Sequence, residues 1–281
     1  MKNNFFLIFF FYLFFNTIVF AETFRFESSN IEIQDNGDLI YATKGRAISS
    51  DNNFEIEADK FEYIKKNDFL KAFQNGLALI KSENLNIEFD EMSIDQKSLI
   101  INANGNIKIY QREKNLLIET ESIIYDRKNK TISSEAQSTL TDNKGNFFKI
   151  ESFFYEIDKN IIKIKNANFT DKENNKFITS LAYINTKSNK LFGKDISIDL
   201  NNKSFDKENE PRLKGNSVIN NEQYTEITKG VFTTCKKRDD CPPWQLSAER
   251  IKHDKKKKII NYKNAWLKVY DVPVMYFPKF F

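Results

Sequence analysis

The sequence predicts an all-β protein, an antiparallel β-jellyroll of stacked repeats. Three observations carry that expectation. A strand–turn–strand unit recurs: Ile56-Glu-Ala-Asp59, Ile87-Glu-Phe-Asp90, Ile118-Glu-Thr-Glu121 and Ile150-Glu-Ser-Phe153 start 31, 31 and 32 residues apart. A fixed period of this size, one supersecondary unit per copy, means stacked units sharing a continuous core. Apolar and polar side chains alternate with period two, as in Phe54-Glu-Ile-Glu-Ala58 and Leu85-Asn-Ile-Glu-Phe89, which is the pattern of half-buried strands. No window sustains a helical period.

The first segment, residues 1–21, reads as a signal peptide. Lys2 is followed by the unbroken apolar run Phe5–Phe15, and Val19-Phe-Ala21 resembles a small-residue cleavage site before Glu22. Eleven apolar residues are short for a membrane span, so export is expected, with the segment cleaved or kept as an anchor.

Residues 22–200 form the repeat region. Each unit places an apolar residue seven positions after its first Ile (Tyr63, Ile94, Tyr125, Ile157), then a polar turn such as Asp126-Arg-Lys-Asn129, then a small residue: Gly76, Gly105, Ala136, Ala167. Alternation points Ile56, Ala58, Tyr63, Ile87, Phe89, Ile94, Ile118, Tyr125, Ile150 and Ile157 into the interior. Between Ala58 and Phe61 the alternation skips a step, and a skip repeated in every unit reads as a bulge or corner that carries the strand from one sheet to another. The first strand, with Phe24, Phe26, Ile31 and Ile33, is the expected open edge.

Residues 201–245 break the pattern and read as a polar loop and a cysteine-containing connector. In an exported chain Cys235 and Cys241 point to disulfide chemistry, either as a local bridge or with partners elsewhere. Residues 246–281 hold a last repeat, Leu246–Asp254 closing at Ala265, and then an aromatic stretch interrupted by Pro273 and Pro278. Two readings of that stretch stay open: a last strand over the core, or approach to a membrane interface.

Chemistry-bearing motifs do not emerge. The one histidine, His253, holds the repeat position of Tyr63 and Tyr125, which is a structural place. Eight scattered glycines form no phosphate loop, and two cysteines with one histidine make too few ligands for a zinc site. No enzyme, metal or cofactor is expected. From Glu22 onward 42 basic and 39 acidic side chains nearly cancel, which argues against a nucleic-acid partner. The run Lys255–Lys258 falls where the repeat puts a turn.

Function is then expected from the surfaces of the stack. An apolar interior that splays along one side is a groove for acyl chains. Exposing a chain of about a dozen carbons to water costs on the order of 10 kcal/mol, at ~0.8 kcal/mol per CH₂. Open strand edges are sites for strand addition by another chain.

The units IEADKFEYIKKNDFLKAFQNG and IETESIIYDRKNKTISSEA resemble the OstA-type repeats of lipopolysaccharide-transport proteins. The stretch from Thr233-Thr-Cys235 through Cys241-Pro-Pro-Trp244 and Val272-Pro-Val274 to Pro278 is similar to the segment that joins the periplasmic domain to the barrel in the LptD family of outer-membrane lipopolysaccharide-assembly proteins. The resemblance implies a periplasmic jellyroll that receives lipopolysaccharide from a bridge protein by strand addition at its N-terminal edge. It implies passage of lipid A toward an outer-membrane barrel holding a plug lipoprotein, at the periplasmic face of the outer membrane. The family's barrel would begin near Phe281, so the expectation is a fragment or a stand-alone domain. Alternatives are a free-standing periplasmic bridge, an inner-membrane-anchored component of the same pathway, or a β-solenoid that binds or acts on polysaccharide.

Overall fold

The computed structural model describes residues 24–143, 145–170, 174–201, 208–237 and 242–281. The signal segment and Cys241 lie outside the described residues. The strands are β1 (Phe24–Gln34), β2 (Leu39–Ser49), β3 (Phe54–Ile64), β4 (Phe69–Ile80), β5 (Leu85–Asp95), β6 (Ile100–Gln111), β7 (Leu116–Asp126), β8 (Thr131–Ser134), β9 (Ser138–Thr141), β10 (Phe147–Ile150), β11 (Ser152–Glu156), β12 (Ile161–Thr170), β13 (Lys176–Asn185), β14 (Lys190–Asp199), β15 (Arg212–Asn220), β16 (Tyr224–Thr233), β17 (Trp244–Asp254), β18 (Ile259–Val269) and β19 (Val272–Phe280). All described pairings are antiparallel and run from each strand to the next along the chain, except at β7–β12, where β7 pairs with both β8 and β9, β8 with β11, β9 with β10, and both β10 and β11 with β12, so the fold is all-β and jellyroll-like. Antiparallel pairing rules out the parallel β-solenoid.

One continuous sheet makes both layers. Each long strand bends at its middle, so its two halves lie in opposite layers and the bends line up along a spine. The register shifts there, between Glu57/Lys60, Phe73/Gly76, Glu88/Glu91 and Asn104/Ile107, which accounts for the skipped step in the alternation. On alternate strands the bend uses a residue at positive φ: Lys44, Asn75 and Asn106 at 31-residue intervals, and later Asn166, Asp195, Lys229 and Asn264. Asn enters that region at lower cost than most side chains. It also reaches back to an acid on the preceding strand. Asn75 Nδ2 donates to Asp59 (2.6 Å) and Asn106 Nδ2 to Asp90 (2.7 Å), and Asn166 and Asn264 do the same to Glu151 and Glu249.

The small residue that closes each repeat sits at this corner. A Cβ on Gly76 would stand 2.1 Å from the Phe89 ring, and Gly105 itself has φ +77°. In one place the corner is wider: β8 and β9 together replace one bent strand, and β10 and β11 the next. The buried hydroxyls of Thr120, Ser134 and Ser138 bond to one another there, at 2.9 Å.

Away from the spine, strand ends and turns from both layers form a mouth. The second-layer turns stack through backbone bonds, Gln96 N to Asp68 O (3.0 Å), Arg127 N to Leu99 O (3.0 Å) and Ile157 N to Lys130 O (3.1 Å). The recurring turn Asp is explained locally: Asp95, Asp126 and Asp254 accept backbone N–H bonds from the residues two or three ahead. The Lys255–Lys258 run is such a turn, and Lys255 Nζ reaches Asn220 Oδ1 at 2.7 Å.

Two expectations need correction. Residues 201–245 are not only loop and connector, because β15 and β16 lie in them and continue the sheet. The alternation there is hidden by Gly215 and Gly230 at the bend, where neighbouring isoleucines fill the space: a Cβ would meet Ile227 at 2.3 Å and Ile251 at 2.5 Å respectively. Second, Ile157 is buried but follows the end of β11, and the residue in register with Tyr125 and Ile132 is Tyr155.

Candidate functional site: the apolar space between the layers

The ten residues expected in the interior are all buried, and they belong to one cluster spanning both layers. The strand register organises that cluster into rows. In the first layer one row crosses every long strand: Phe26↔Ala47↔Ile56↔Ala78↔Ile87↔Ile109↔Ile118↔Leu140↔Phe148. It continues Phe169↔Phe177↔Ile198↔Leu213↔Phe232↔Leu246↔Leu267↔Met275. From Ala47 to Phe148 every member is buried. Beyond Phe148 the row opens. Ile198 stays buried, Phe169, Phe177, Leu213, Phe232, Leu246 and Leu267 are half-buried, and Met275 is 52% exposed. The facing second-layer row stays buried as far as Ile251. The first-layer row is thus fully packed through β2–β10 and, apart from Ile198, only partly covered from β12 to the end.

The mouth differs between the two halves in the same sense. Over β3–β11 polar side chains tie the two rims together. Tyr155 of the second layer donates its hydroxyl to Gln111 Oε1 of the first (2.5 Å) and accepts from Lys114 Nζ (2.7 Å). Burial pushes the Tyr155 hydroxyl pKa up and the Lys114 ammonium pKa down. Lys130 Nζ lies 3.9 Å from Glu83, and the Arg127 guanidinium lies 5.4 Å from the Phe54 ring centre. In the opened half the rims carry aromatic contacts within the first layer instead: Phe169 stacks on Phe177 at 4.3 Å and 6°, and Phe232 meets Trp244 edge-on at 6.1 Å.

The two ends of the stack also differ. β1 pairs with β2 alone among the described strands, so its outer edge carries no strand. Of the expected edge residues, Phe24 and Phe26 are tucked under Phe54, Phe61 and Tyr63, with ring centres 5.8–6.5 Å apart. Ile31 and Ile33 share the inward side of β1 but are 48% and 63% exposed. At the other end β19 pairs with β18 alone among the described strands, a place its two prolines allow, and it carries exposed apolar side chains on both faces, Met275 inward and Tyr276 outward.

His253 is half-buried in β17, in register with Thr225 and Ile260. Cys235 is half-buried with Sγ 3.7 Å from the Trp244 carbonyl oxygen. A cleft of about 790 Å³ on the outer surface, at the split strands, is lined by mixed charges including Lys108, Glu121, Lys149 and Glu151. Among the described residues no group of three or more His, Cys, Asp or Glu side chains could hold a metal ion. Sequence reasoning missed the opened row and the rim ties. The row was legible in principle from alternation in β12–β18. The ties were not, because Gln111 and Tyr155 meet only across the fold. No family model matches the chain, and no curated protein does.

Proposed function

We propose that this chain is a non-enzymatic lipid conduit of the lipopolysaccharide-transport pathway, related to the periplasmic domain of the LptD family. In this reading it is exported and works at the periplasmic face of the outer membrane. It takes lipopolysaccharide from a periplasmic bridge protein that adds a strand at β1, and moves the acyl chains of lipid A along the interlayer space toward an outer-membrane barrel with its plug lipoprotein. The observation that carries the reading is the first-layer row, one unbroken apolar line across the sheet that is buried from Ala47 to Phe148 and, apart from Ile198, half-buried to exposed from Phe169 to Met275. An apolar row open to water along many strands is unfavourable unless something covers it. A continuous apolar row beside a fixed opposite wall fits a lipid tail better than a globular partner.

The experiment is native mass spectrometry of the exported protein with added lipopolysaccharide. A complex is expected, and Leu213→Glu together with Leu246→Glu, both half-buried in the opened row, should abolish it while the circular dichroism spectrum stays unchanged. An unchanged complex in the double variant rejects the path.

A further inference from the structure

We propose that the N-terminal half of the interlayer space is gated: the two layers hinge about the spine, and the ties across the mouth between β3 and β11 form a latch. Its centre is the Gln111–Tyr155–Lys114 cluster, in which a second-layer hydroxyl is held by two first-layer side chains at 2.5 and 2.7 Å. Gln111 also donates to the Glu83 carbonyl at 3.1 Å, and Glu83 faces Lys130 across the mouth, which joins the two ties into one unit. Arg127 extends it: the guanidinium covers Phe54 of the opposite rim and donates to Gln96 Oε1 at 3.0 Å.

Three features mark this as a closure that opens rather than a permanent wall. First, the ties named across the mouth are made by side chains, whereas the spine is continuous hydrogen-bonded sheet. Parting the rims therefore breaks no strand pairing. Second, the closed state is imperfect: Gln96 Nε2 is buried with no hydrogen-bond partner, a cost that opening to water removes. Third, from β12 onward the first-layer row is, apart from Ile198, only half-buried to exposed while the sheet keeps its pairing, so the same sheet tolerates a looser cover over its interior. That the latch admits acyl chains into the β3–β11 half rests on the lipid reading above; that it opens does not.

The test uses spin labels at Ser82, on the first-layer rim, and Lys128, on the second, with Cys235 and Cys241 replaced by serine. The native chain should give one narrow distance by pulsed dipolar spectroscopy. Lys114→Met with Tyr155→Phe keeps the bulk and removes the ties, and should broaden and lengthen that distance. A label pair within the first layer, Ser82 and Glu113, should not move, which reports that the fold is intact. An unchanged Ser82–Lys128 distance overturns the latch. A photoreactive probe at Ile87 then reads the gating. Lipopolysaccharide adducts there should rise at least tenfold in the unlatched variant while adducts at Leu246 stay constant. Equal labelling of Ile87 with the latch present or absent overturns its role as a gate. A rim that moves while neither position is ever labelled establishes the latch and rejects the lipid reading.

Discussion

Asn106 sits at positive φ in the middle of β6 and donates its side-chain amide to Asp90 of β5, 2.7 Å away. The pair does two jobs at one corner: the asparagine backbone makes the bend, and its side chain ties the bend to the neighbouring strand. Asn75 and Asp59 repeat it one unit earlier. Asn106→Gly keeps the bend and loses the bond, for a destabilisation of about 1 kcal/mol. Asn106→Ala also places a Cβ in the left-handed region, raising the loss to about 2 kcal/mol. Urea unfolding midpoints measure both. Equal losses would remove the backbone part of the account.

Gly76 at its corner is fixed by packing rather than by conformation. Gly76→Ala drives a Cβ into the Phe89 ring and should cost about 1–3 kcal/mol. Phe89→Leu in the same chain should return part of that loss, because it removes the ring the methyl meets. If the two substitutions are simply additive in thermal unfolding, the contact is not the cause.

These corners show what the sequence made legible. Strand identity, the repeat, the inward face and the position of the bend all follow from local alternation, and the skip between Ala58 and Phe61 located the spine. The ten residues expected inside are buried because period-two alternation admits only two faces. What stayed hidden depends on which halves of distant strands come to face each other. The Gln111–Tyr155 bond spans 44 residues, and neither residue is distinctive in its own turn. Alternation does not reveal β15, because Gly215 leaves its interior place to Ile227.

Acid should loosen the turns before the core. Asp95, Asp126 and Asp254 have carboxyl pKa values held below the ordinary range. For Asp95 the leading cause is the Ser98 side-chain bond, and for Asp126 and Asp254 it is a backbone N–H, from Asn129 and Lys257 respectively. A pKa depressed by folding contributes stability that is present above the unfolded carboxylate pKa of about 4 and is lost as pH falls through the lower folded value. Hydrogen exchange should therefore show second-layer turns opening below about pH 4. Asp126→Asn should weaken that dependence for its own turn.

Opening of the first-layer row predicts a gradient of truncation costs within one register line. Ile87→Ala, fully enclosed, should lose about 2–5 kcal/mol. Leu246→Ala, half-buried in the same row, should lose closer to 1 kcal/mol. Chemical denaturation of the two variants side by side checks this. Equal losses would mean that the C-terminal half is as closed as the rest.

The free edge of β1 predicts where a partner strand adds. Ile31→Pro removes a backbone donor and stiffens the strand, and should weaken capture of the bridge protein in a pull-down. Capture that survives the substitution places the docking edge elsewhere.

The most direct test of the central claim is site-specific photo-crosslinking of the exported chain to lipopolysaccharide, with the probe at Leu246 and then at Ser247. Leu246 lies in the opened apolar row, and Ser247, paired with Trp266, faces outward from the same strand. Adducts at Leu246 and none at Ser247 are the predicted result, and they establish an interior lipid path and its register together. Equal labelling at both positions, or none at either with the fold intact, would contradict a conduit between the layers.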